Sequence, residues 1–223
     1  MTAYREWTCA LGHRAPRLVA ADPRHRAVVV TALPGRTLFG AVLDRATELR
    51  VHQGLGEIAA LFHRAAPARQ PDAHLPSPAA KLERHLEAAR PYLRDGDEAL
   101  LRTLAARHAV LPPCHQVPTI GDLQLRNALL ADDGSLGVVD FERAEYGPAL
   151  RDLVRLSDHW DGRDDLREAF LTGYGQPLTP HEEERLVCEA GFDALSGIQF
   201  GMAHGDPELV ERGRRTLTRI HRR

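Results

Sequence analysis

Apolar positions recur along this chain with two different periods, and the switch between them sets out its parts. Val51, Leu55, Ile58, Ala59 and Phe62 fall on one face of a helix. Leu186, Ala190, Ala194, Ile198 and Met202 recur every four residues, which predicts a second long helix with a buried stripe. Ala79 to Leu93 and Glu98 to Val110 read as two more helices, and Leu111-Pro112-Pro113 breaks the second. Nearer the start the pattern is that of strands. Arg17 to Ala21 is a short one. Ala27 to Ala32 is β-branched and apolar, which predicts a buried strand. Asp22-Pro23-Arg24-His25 turns the chain between them, and Leu33-Pro34-Gly35 ends the second. Tyr4 to Leu11 reads as a short helix stopped at Gly12, and helices return from Asp152 onward.

Between the helical stretches lie two irregular ones. Ala66 to Pro78 carries Pro67, Pro71, Pro76 and Pro78 and reads as a loop or linker. Residues 117–141 alternate short strands and loops. There Asp132-Asp133-Gly134-Ser135 predicts a hairpin turn between Ala128-Leu129-Leu130 and Leu136-Gly137-Val138-Val139. The fold class is therefore α+β and mostly helical.

Composition narrows the function classes. The chain has 223 residues, the size of one large domain or two small ones. Lys+Arg is 29 against Asp+Glu 31, a formal charge of -2, so no basic excess points to nucleic acid. Cys9, Cys114 and Cys188 lie far apart without CxxC spacing, which argues against a disulfide framework or zinc knuckle and for a reducing compartment. No apolar run reaches the ~20 residues of a membrane helix, and the N-terminus lacks a secretion signal, so the expected location is the cytoplasm. The twelve histidines form no HExxH pattern. Lys81 is the only lysine.

The chemistry concentrates in Thr119-Ile120-Gly121-Asp122-Leu123-Gln124-Leu125-Arg126-Asn127 and Val138-Val139-Asp140-Phe141-Glu142. Asp122 precedes Asn127 by five residues, and Asp140 follows Asp122 by 18. The hairpin returns the chain, so Asp140 can come back beside Asn127. Asp plus Asn is an oxygen pair suited to Mg²⁺, which shares phosphate oxygens and keeps waters. Asp122 is then left to orient a hydroxyl and accept its proton, as in kinase-type phosphoryl transfer.

These residues resemble the aminoglycoside phosphotransferase/choline kinase-like family, which has a protein-kinase-like fold. The matching features are Gly121-Asp122-x4-Asn127, Val139-Asp140-Phe141-Glu142, and Gly147-Pro148-Ala149-Leu150-Arg151-Asp152-Leu153. The resemblance implies a helical C-terminal lobe over 36–223, with a catalytic loop at 119–142. Residues 1–35 would be a two-strand N-lobe remnant and hinge. It also implies Asp122 as catalytic base, Asn127 and Asp140 as metal ligands, and Asp152 as the support beneath the loop. Thr31, Ala32 and Leu33 would meet the nucleotide base. The reaction would be Mg²⁺-dependent transfer from ATP or GTP to a small hydroxylated molecule, an aminoglycoside-like antibiotic or a metabolite. Asp158 and Asp161 could hold a cationic substrate, or cap a solvated helix. Two features depart from the family. Ile120 stands where a histidine is usual, and no glycine loop or lysine precedes Val28. Weak nucleotide binding and slow transfer are therefore expected. The alternative is a non-catalytic binding protein derived from such a kinase, with a second copy or partner covering the exposed strand edge. A third reading places the true start upstream of Met1.

Overall fold

The structure, a computed structural model, describes residues 2–71 and 78–222, and of residues 78–81 the backbone alone. Residues 72–77 of the proline-rich stretch fall outside the described residues, as does the side chain of Lys81. The chain divides into two compact units. The first takes in Met1–Gln70 and Cys114–Pro177, and the second Pro71–Pro113 and Leu178–Arg223.

The first unit opens with a π-helical turn, Ala3–Trp7, that runs into a 3₁₀ segment, Thr8–Arg14. Gly12 breaks this segment with φ 59°. Trp7 is buried edge-on between Phe62 and Tyr146, which fixes the segment to the unit's core. β1 (Leu18–Asp22) pairs antiparallel with β2 (Ala27–Val30). Asp22 Oδ1 closes their turn by accepting from the Arg24 and His25 amides. The expectation of a buried second strand is overturned. Ala27, Val28 and Val29 are exposed, Val29 at 56%. The cause is that β1 and β2 make their close contacts mainly with each other, so these side chains are left uncovered.

β3 (Arg36–Thr37) then joins the predicted hairpin, formed by β5 (Ala128–Leu130) and β6 (Leu136–Val138). α1 (Arg45–His63) starts at Asp44, whose carboxylate accepts from the Thr47 amide at 2.9 Å. α1 lies against α5 (Asp164–Tyr174), and two glycines set their spacing. A Cβ at Gly56 would stand 2.1 Å from the Phe170 carbonyl oxygen, and one at Gly173 would stand 1.8 Å from that of Gln53. β4 (Gln116–Thr119) and β7 (Glu145–Pro148) form a further antiparallel pair that brackets the loop between them.

The second unit is helical. α2 (Pro78–Ala89), α3 (Asp97–Ala109), α6 (Pro180–His204) and α7 (Pro207–His221) enclose Leu86, Leu101, Ala194, Leu195, Ile198 and Leu217. Thr179 and Glu182 form a reciprocal capping box at the start of α6. Gly205, at φ 68°, ends α6, and Asp206 caps α7 through the Leu209 amide. The predicted apolar stripe holds through Ile198 and fails at Met202, which is 40% exposed. A four-residue repeat overshoots a helix turn by about 40° each step, so the stripe has rotated off the core by its fifth member.

Candidate active site

The loop between β4 and β5 is held from below by Asp152. This residue sits in α4 (Arg151–Val154), and its side chain is completely buried. Its carboxylate accepts from the Ile120 amide at 2.8 Å and the Gly121 amide at 2.7 Å. His63 Nε2 donates to the same group at 3.0 Å, and His63 Nδ1 is hydrogen-bonded to the Tyr174 hydroxyl at 2.9 Å. A buried carboxylate needs such partners, because an unsatisfied charge in the interior is costly. Ile120 fills the core instead of offering an imidazole, and the histidine that does reach the loop support comes from the end of α1.

Gly121 turns the chain with φ 79°. A Cβ there would meet the Arg143 carbonyl oxygen at 2.3 Å, so only glycine fits. The turn presents Asp122. Gln124 Nε2 donates to its Oδ1 at 2.7 Å, and Arg155 Nη1 donates to the same oxygen. Asn127 Nδ2 donates to the Asp122 carbonyl at 3.0 Å and to Oδ2 at 3.3 Å. Asp122 and Asn127 are thus in direct contact, and Asn127 is buried.

The hairpin places Asp140. Ala128 pairs with Val138, and the Val139 amide donates to the Asn127 carbonyl at 2.9 Å. Asp140 follows at once, exposed and in a left-handed conformation with φ 67°. Phe141 then dives into the core, 5.4 Å from Phe62 and 5.6 Å from Tyr4 by ring centroids. Among the described residues no three His, Cys, Asp or Glu side chains gather as a metal cage. The donor set nevertheless suits Mg²⁺. The Asn127 NH₂ is engaged by Asp122, which leaves its carbonyl oxygen, and Asp140 adds a carboxylate.

The hinge residues lie beyond the last ladder pair, Leu18 with Val30. Thr31 is tied to Arg17 across the ribbon: its amide donates to the Arg17 carbonyl at 2.9 Å and its hydroxyl accepts from the Arg17 amide at 3.0 Å. Ala32 and Leu33, with Thr31, line a cavity of about 930 Å³ that Arg5, His13 and Arg17 also border. Arg14 points its charge at Glu57, 2.9 Å away. Asp158 and Asp161 lie on the segment after α4, Asp161 exposed and Asp158 half-buried.

Sequence reasoning missed His63, Gln124 and Arg155. For Arg155 a signal existed. It follows Asp152 by one helical turn, so a residue placed beneath the loop puts its i+3 neighbour near the loop as well.

Among solved structures, a choline/ethanolamine kinase family protein from Mesorhizobium loti aligns with a TM-score of 0.70 at 18% identity, covering 98% of this chain and 82% of its own. Choline kinase LicA from Streptococcus pneumoniae aligns with 0.69 at 18%, covering 98% and 78%. The GDP complex of wild-type aminoglycoside 2'-phosphotransferase-IIIa aligns with 0.65 at 16%, covering 97% and 80%. These similarities establish a protein-kinase-like fold, α+β and mostly helical. No curated protein sequence matches. No helix among the described residues is long and apolar enough to cross a membrane. The sequence model of the phosphotransferase enzyme family, APH, matches residues 1–186, and with that match the chain belongs to this family of kinase-like phosphotransferases.

Proposed function

We propose that the chain transfers a phosphoryl group from ATP or GTP to a hydroxyl of a small molecule. The observation that carries this reading is the Asp122–Asn127 pair, hydrogen-bonded on a loop anchored by Asp152. Asp122 orients the acceptor hydroxyl and takes its proton. Asn127 and Asp140 are the residues that would hold Mg²⁺, which neutralises phosphate charge when bound. Ala32 and Leu33 offer backbone groups to the base at the edge of the hinge cavity. Thr31 contributes shape rather than its amide, which is bonded to Arg17. The acceptor is a hydroxylated metabolite or an aminoglycoside-like antibiotic, with Asp158 and Asp161 as a candidate wall for its charge.

Transfer by the 223-residue chain is expected to be slow. No lysine precedes Val28, and loss of one electrostatic contact to the reacting group costs ~10²–10³ in rate. The test is nucleotide-dependent phosphorylation of a panel of hydroxyl acceptors, read by mass. Asp122→Asn should lower kcat by roughly 10²–10⁴ while the fold persists. A variant as fast as the parent would place the chemistry elsewhere.

A further inference from the structure

Asp122 is unusually well supplied with donors for a residue that must still receive a proton. Oδ1 accepts from both Gln124 and Arg155, and Oδ2 accepts from Asn127. A carboxylate offers about four lone-pair directions, so the remaining one is on Oδ2. The Arg155 contact is also sheltered. The Arg155 side chain is 19% exposed and that of Asp122 is 13% exposed, so salt and water screen the pair poorly.

Carboxylates that attract amines do so when they carry no cation of their own. Several acids of this unit are paired with arginine. Glu57 faces Arg14, Glu145 faces Arg151, Glu48 and Asp165 share Arg163, and Asp165 also meets Arg45. Asp122 follows the same pattern at the reacting centre.

We infer that Arg155 selects the charge of the acceptor: by neutralising Asp122 it makes the site favour an uncharged or acidic hydroxyl compound over a polyamine, which of the two acceptor classes proposed above favours the metabolite over the aminoglycoside-like antibiotic. The inference rests on the reading of Asp122 as the residue that meets the acceptor. A second ammonium brought beside Arg155 would be repelled, whereas a carboxylate or hydroxyl would not. Arg155 is on this account a specificity-determining residue, and it orients Oδ2 towards the acceptor.

The test reads binding, so it stands apart from turnover. The full chain is titrated by calorimetry with D-gluconate, sorbitol and kanamycin at pH 7. The parent should bind gluconate or sorbitol more tightly than kanamycin. Arg155→Gln should shift the gluconate-to-kanamycin ratio towards kanamycin by roughly tenfold or more, the order expected for loss of one partner of a sheltered ion pair. Arg155→Lys, which keeps the charge, should leave the ratio near the parent's. A melting curve for each variant reports its fold, and should Arg155→Gln not fold, the parent and Arg155→Lys decide the matter. A parent that prefers kanamycin, that shows no preference or that binds none of the three overturns the inference. So does an unchanged ratio in folded Arg155→Gln. Loss of transfer in the Asp122→Asn assay, or its persistence, bears on the catalytic reading alone.

Discussion

Asp152 and His52 illustrate two ways in which this chain buries a titratable group. Asp152 meets two amides and an imidazole, so its oxygens are served on every side. His52 is served on one side only. Its Nδ1 donates to the Glu48 carbonyl at 2.9 Å, while Nε2 is buried with no partner among the described residues. Burial pushes the His52 value below the ordinary 6.5, since a charged ring would lose its water. The sign follows from that direction. The unfolded chain takes up the proton first as pH falls, so the stability His52 permits is present above about 6.5 and is lost below it. Melting curves at pH 7.5 and 5.5 should therefore show a larger loss for the parent than for His52→Leu. Equal losses would show that His52 accepts its proton without penalty. At this scale the sequence spoke clearly only over short spans. Asp122 and Asn127 are five residues apart and stand out together, whereas His63 meets Asp152 across 89 residues and Arg155 meets Asp122 across 33. No local pattern announces a partner that far away.

Among the elements, the hairpin was legible because its turn residues and flanking apolar runs agree, and the register confirms them. The β1–β2 ribbon was legible as strands and misread as buried. Apolar β-branched residues state a preference for an extended backbone, and whether they are buried depends on what packs against the ribbon. The long helices were plain from their periodicity, but their closest contact was not. Gly56 and Gly173 look like helix weaknesses in sequence, yet they let α1 and α5 approach backbone to backbone. Gly56→Ala should cost about 1–3 kcal/mol, because the added methyl must push apart two packed helices. Urea unfolding followed by circular dichroism measures it. A neutral or stabilising result, as for a glycine in an open helix, would mean that α1 and α5 do not meet this closely.

At the scale of the whole molecule, the chain is a two-unit member of the kinase-like phosphotransferase family, and the candidate site residues Asp122, Asn127, Asp140 and Asp152 all lie in the first unit. Its second unit contributes a helical core of its own, with α6 and α7 punctuated by Thr179, Gly205 and Asp206. The roles assigned to Asp122 and Asp140 separate in one experiment, which is the most direct test of the account. Transfer rate is measured against Mg²⁺ concentration for the parent, Asp122→Asn and Asp140→Asn. The account predicts that Asp122→Asn lowers the plateau and leaves the half-saturating Mg²⁺ concentration in place. It predicts that Asp140→Asn raises that concentration, because one of two protein ligands has lost its charge. A Mg²⁺ dependence identical in Asp140→Asn and the parent, or activity indifferent to Mg²⁺, would contradict it.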